Sequence, residues 1–102
     1  MAVSRRFGDD VAKAIGEHSQ RRIAGDMYVS QTLVSNMMGG RIPTDEIVRR
    51  FARALGLDEE EWLRRAQLYR EEVHLRDLGY LSDDAVKEIL AVMEREEERH
   101  RR

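Results

Sequence analysis

The stretch from Ser19 to Gly40, SQRRIAGDMYVSQTLVSNMMGG, constrains this chain more than any other. Its pattern predicts two short helices joined by a tight turn. Ser19 and Ser30 can each cap a helix, because a serine oxygen accepts from a backbone N–H that the first turn leaves open. Gln20 and Gln31 follow, so each helix opens with a long polar side chain. In the second helix Val34, Met37 and Met38 recur at the spacing of a buried stripe. Gln31, Thr32, Ser35 and Asn36 then share the opposite face, with hydrogen-bonding capacity and no net charge. Such a face suits base edges in a major groove, where donors and acceptors carry the sequence code. The plainer reading is a solvated face, but solvated faces elsewhere in this chain are rich in Arg and Glu.

Length and composition set the frame. A chain of 102 residues makes one domain, or a small domain with an appended dimerisation element. The absence of cysteine excludes disulfides, thiolate zinc and thiol nucleophiles, and favours a reducing compartment. No apolar run approaches the roughly 20 residues of a spanning helix, so the expectation is a cytoplasmic protein away from the membrane. The net charge of −2 conceals a split. Residues 1–57 hold 9 Lys and Arg against 6 Asp and Glu, whereas residues 58–102 hold 9 against 14. The basic half contains the two-helix unit, and attraction to phosphate depends on the local patch rather than the total. Lysine occurs only at Lys13 and Lys87. Arginine pairs planar with carboxylate or phosphate, so the bias serves ion-pair networks, nucleic acid or simply a GC-rich genome.

Residues 5–17 read as the first helix, with Phe7, Val11 and Ile15 inward. Asp9 and Asp10 fit a macrodipole role near a helix start better than a catalytic pair. His18, before the Ser19 cap, is read as an apolar staple rather than a metal ligand, since His74 and His100 are its only fellows. The helix from Gln20 to Met27 buries Ile23, Ala24 and Met27. Arg21 and Arg22 lie outside it near its start, beside Ser19 and Gln20, as a candidate phosphate clamp; two solvated arginines are the alternative. Gly40-Arg41-Ile42-Pro43 ends the next helix, with Gly40 suited to a left-handed cap and Arg41 as a second candidate clamp. Thr44 caps a helix over 45–55 that buries Ile47, Val48, Phe51, Ala52 and Leu55, is stopped by Gly56, and turns Arg49, Arg50 and Arg53 outward.

These residues resemble the Cro and phage-repressor (XRE-type) helix-turn-helix family. The resemblance spans Phe7 to Leu57 and rests on SQ..IA (Ser19 to Ala24), VSQ..VS (Val29 to Ser35), G..P (Gly40 to Pro43) and FARALG (Phe51 to Gly56). It implies a five-helix DNA-binding domain, working as a dimer on a palindromic operator of double-stranded DNA. By position, Gln31, Thr32, Ser35 and Asn36 match the family's base- and backbone-contacting residues, and Gln20 and Arg41 its phosphate-side residues. Two departures stand out: Tyr28 occupies the turn where the family usually has glycine, and the Gly40–Pro43 loop is one residue shorter than in many members. Tyrosine in left-handed geometry costs roughly 1–2 kcal/mol, which predicts a turn of different build.

Asp58 and Glu61 form a capping box at the start of a fifth helix, a better reading of DEEE than a metal or acid/base site. Trp62, Leu63, Ala66, Tyr69 and Val73 make its apolar stripe, and Gly79 stops it. Ser82 caps a sixth helix, in which Val86, Ile89, Leu90 and Met93 repeat at coiled-coil-like spacing. The expected organisation is therefore all-α: a helix-turn-helix core over 1–57 and a helical extension over 58–102. Trp62, Tyr69, Val73, Val86, Ile89, Leu90 and Met93 are the expected dimerisation residues. With no nucleophile–base arrangement, metal ligand set or nucleotide loop, neither catalysis nor a cofactor is expected. The functional expectation is a sequence-specific transcriptional regulator, most simply a homodimeric repressor. The alternative is an antitoxin-like or adaptor protein whose acidic C-terminal half binds a partner protein.

Overall fold

The computed structural model describes residues 2–79 together with Asp84, Lys87, Glu88, Ala91, Val92, Glu94 and Arg95. The chain is all-α, with α1 at Arg5–Ile15, α2 at Gln20–Met27, α3 at Gln31–Met38, α4 at Asp45–Ala54 and α5 at Glu59–Asp77. None of these helices is long and apolar enough to cross a membrane. Val86, Ile89, Leu90 and Met93, and the Ser82 cap, lie outside the described residues.

Helix starts follow the capping logic. Ser4, Ser19 and Ser30 accept from the amides of Phe7, Arg22 and Leu33 at 3.2–3.3 Å. Asp58 accepts from Glu60 and Glu61 at 2.9 and 3.2 Å, while the Glu61 carboxylate turns to Arg65 at 2.9 Å. Only one arm of the expected capping box therefore forms as such. Thr44 makes no side-chain cap. Its helix is fixed from outside instead: Arg70 donates to the Pro43 carbonyl at 2.6 Å and to Asp45 at 2.7 Å. His18 is exposed, so the staple read from its position does not form.

The core is built from one stripe of each helix: Phe7, Val11 and Ile15; Ile23, Ala24 and Met27; Val34 and Met37; Val48, Phe51 and Ala52; Trp62, Ala66 and Tyr69. Trp62 stands edge-on to Phe51 at 5.0 Å and to Phe7 at 6.5 Å between ring centroids, joining α1, α4 and α5. The guanidinium of Arg65 covers the same indole at 5.2 Å, a favourable cation–π distance. Two expectations change here. Trp62 is 4% exposed and Tyr69 is buried within the chain's own core, so neither supplies surface to a second copy. The core also runs across the 57/58 boundary, because the first half of α5 fills the groove left by α1 and α4.

Asp10 has a different task from the one its position near a helix start suggests. It lies in the second turn of α1 and receives the Tyr69 hydroxyl at 2.5 Å and Arg65 at 3.5 Å. Burial, then the bond to Asp10, pushes the Tyr69 phenol up from its ordinary value, so it remains a donor. Burial opposes the charge on Arg65, but the carboxylates of Glu61 and Asp10 outweigh it and hold the guanidinium more firmly protonated. Further along α5 the buried set is Leu68 and Glu72 rather than Val73, which is half-buried. Glu72 is 1% exposed and bound by Arg76 at 2.9 Å.

Candidate nucleic-acid interface

Helices α2 and α3 form a closely packed pair whose geometry is set by the turn between them. Tyr28 adopts φ 58°, ψ 44°, the left-handed conformation. The turn is therefore of the usual build, contrary to what a tyrosine at this position predicts. Its amide donates to the Gly25 carbonyl at 3.2 Å and that of Val29 to the Ala24 carbonyl at 3.0 Å, the two bonds of a Schellman ending. Gly40 and Gly56 sit at the same place in equivalent endings of α3 and α4 and have the glycine that geometry favours. Tyr28 is tolerated because its ring is 89% exposed and meets no wall. Arg50, expected to point to solvent, adds a clasp by donating to the Met27 carbonyl at 3.4 Å.

This turn presents α3 with Val34 and Met37 buried and Gln31, Thr32 and Ser35 exposed; Asn36 is half-buried. None of these four polar side chains hydrogen-bonds to another described residue. Eight residues make a helix about 12 Å long, comparable to the width of a B-DNA major groove. The four side chains are thus neutral, outward and available, which is what base-edge recognition requires.

The expected phosphate-side residues divide by availability. Arg21 and Arg22 are exposed at the start of α2 and form no ion pair with any described residue. Gln20 is half-buried beside them. The Ser19 oxygen already caps the Arg22 amide at 3.3 Å, leaving its hydroxyl proton to donate. Arg41 is exposed beyond the end of α3, its amide bonded back to the Asn36 carbonyl at 3.0 Å. The structure brings Gln31, Thr32, Ser35 and Asn36 onto one helix and leaves Arg41 just past its far end.

Reading along the sequence missed the role of the N-terminal segment. Ala2 to Ser4 runs antiparallel to the loop after α3: Ser4 donates to Gly40 at 2.7 Å, Ile42 donates to Ala2 at 3.0 Å, and Val3 bridges Arg41. Gly8 makes this docking possible, since a Cβ there would stand 2.6 Å from the Met38 carbonyl oxygen. The lone glycine inside a helical pattern was the available signal.

A helix-turn-helix domain family model matches residues 9–68, from within α1 to the middle of α5. The chain belongs to the helix-turn-helix domain family. The match takes in the two-helix unit and the α4–α5 pair that supports it, consistent with the resemblance to Cro and phage repressors. No curated protein and no solved structure matches this helix-turn-helix chain.

Proposed function

We propose that this helix-turn-helix protein is a sequence-specific transcriptional regulator that inserts α3 into the major groove and represses by occluding a promoter. The observation that carries the reading is the face of α3: four neutral polar side chains without internal partners, on a helix of groove-matching length. Gln31, Thr32, Ser35 and Asn36 read bases, and Arg21, Arg22 and Arg41, helped by Ser19 and Gln20, hold phosphates. A homodimer on a two-fold operator is part of this proposal. Trp62 and Tyr69 are spent in the core, so Val73 and the sequence positions Val86, Ile89, Leu90 and Met93 remain its candidate contacts.

The test is selection of bound fragments from a random duplex pool at near-physiological salt. Enrichment of an inverted repeat with half-sites about 10–10.5 bp apart, or a multiple, is the expected result. Binding without enrichment would reduce the protein to a phosphate-held coating factor. No binding would overturn the regulator reading and turn attention to a protein partner for the acidic half.

A further inference from the structure

Arg5 is the first residue of α1, exposed and without an ion-pair partner among the described residues. Nothing in its local sequence connects it with α3, 26 residues away at Gln31. The fold makes that connection. A Cβ on Gly40 would lie 2.5 Å from the Ser4 carbonyl oxygen and 3.4 Å from the Arg5 amide nitrogen, so the main chain of Arg5 touches the residue immediately before Arg41. The bond from Ser4 to Gly40 and the Val3–Arg41 bridge hold the two segments in register. The main chains of Arg5 and Arg41 are thereby held near each other at the end of the reading helix, and neither side chain forms an ion pair with a described residue. Asp9, one turn further along α1, forms no ion pair with Arg5. In α4 and α5, by contrast, Arg50, Arg53, Arg65, Arg70 and Arg76 each hold a carboxylate. Adjacent like charges left uncompensated favour an anion that bridges them.

We propose that Arg5 and Arg41 together form a phosphodiester clamp, making the N-terminal arm part of the DNA-binding surface. The proposal rests on the DNA-binding reading of α3 and adds a contact that reading does not contain. The clamp lies at the C-terminal end of α3, whereas Arg21 and Arg22 stand at the start of α2. Phosphates are therefore gripped from two separate points of the domain, which fixes the orientation of the reading helix rather than only its affinity.

The experiment is a fluorescence-anisotropy titration of the full chain on a mixed-sequence duplex over a series of salt concentrations. Arg5→Gln should lower the slope of log K against log salt by about 0.9 and weaken binding about fivefold near 0.15 M salt. Arg49→Gln removes the same charge from another exposed, unpaired position on α4 and should leave the slope alone. An unchanged slope for Arg5→Gln, with a normal far-UV spectrum and a lowered slope for Arg22→Gln, overturns the clamp while sparing the DNA-binding reading. An equal drop for Arg49→Gln overturns it too, because net charge alone would then explain the effect. Failure of the unmodified protein to bind any duplex removes both.

Discussion

Arg5, Arg6, Arg21, Arg22 and Arg41 carry no ion pair among the described residues, whereas Arg50, Arg53, Arg65, Arg70 and Arg76 each hold a carboxylate. The same side chain thus serves two ends in one small domain. In α4 and α5 it is cohesive: Arg70 ties the loop before α4, Arg65 joins α5 to α1, and Arg50 clasps the end of α2. Before residue 42 it is left unpaired, and Arg5, Arg21, Arg22 and Arg41 are exposed around a helix whose own polar face is uncharged. Arg49 stands alone in α4 as an unpaired exception. The difference teaches that composition is a poor guide to a ligand. A net charge of −2 is compatible with an anion-seeking face when the acidic excess is concentrated in residues 58–102.

The sharpest way to break this division is to weaken the supporting half and watch the presenting half. Trp62→Ala should destabilise the fold by about 3–5 kcal/mol in urea unfolding, because the indole joins three helices. Its midpoint should shift equally at low and high protein concentration; a loss confined to low concentration would return Trp62 to a dimer interface. Next in size is Ser35→Ala with Asn36→Ala. Each lost base contact removes about 1–3 kcal/mol of discrimination, with the melting temperature nearly unchanged. Retained sequence preference in the folded double mutant would refute the assignment.

Tyr69→Phe removes a hydrogen bond to a carboxylate and should cost about 1.5 kcal/mol near neutral pH. Its pH dependence follows from the raised phenol. A folded-state value above the unfolded one gives stability that is complete below the ordinary value of 10.0 and is lost as pH rises through the folded value. Unfolding at alkaline pH should therefore steepen above about pH 10 in the parent protein and less so in Tyr69→Phe. Tyr28→Gly works in the other direction. Relief of left-handed strain, less the entropy glycine adds to the unfolded chain, should stabilise by about 0.5–1 kcal/mol. Smallest in stability are Arg22→Gln and Arg53→Gln, both within about 0.5 kcal/mol because the groups are solvated. They should part company on DNA: only Arg22→Gln lowers the salt slope.

Much of this was legible from local signals. Phe7, Val11 and Ile15 keep helical spacing, Ser19 and Ser30 cap where serines cap, and Gly40, Gly56 and Gly79 end their helices with positive φ. The four polar residues of α3 were readable because Val34 and Met37 fix which face is buried. What escaped was non-local or ran against residue type. Asp10 and Tyr69 are 59 positions apart, and no spacing rule connects them. Glu72 interrupts the apolar period of α5 while occupying a buried position, so the pattern of apolar residues points to Val73 instead. Tyr28 disguises an ordinary turn because its residue type disfavours the conformation it adopts. The docking of Ala2–Ser4 is made by backbone groups, which carry no signature in side-chain pattern.

The only tryptophan of the chain is Trp62, sealed between Phe7 and Phe51 under the guanidinium of Arg65. Its light emission therefore comes from the joint of α1, α4 and α5 and not from the face of α3. Emission excited selectively from tryptophan becomes an internal gauge of folding that stays silent while α3 meets a ligand. A variant with altered DNA binding and unaltered emission has lost recognition; one in which both change has lost its frame.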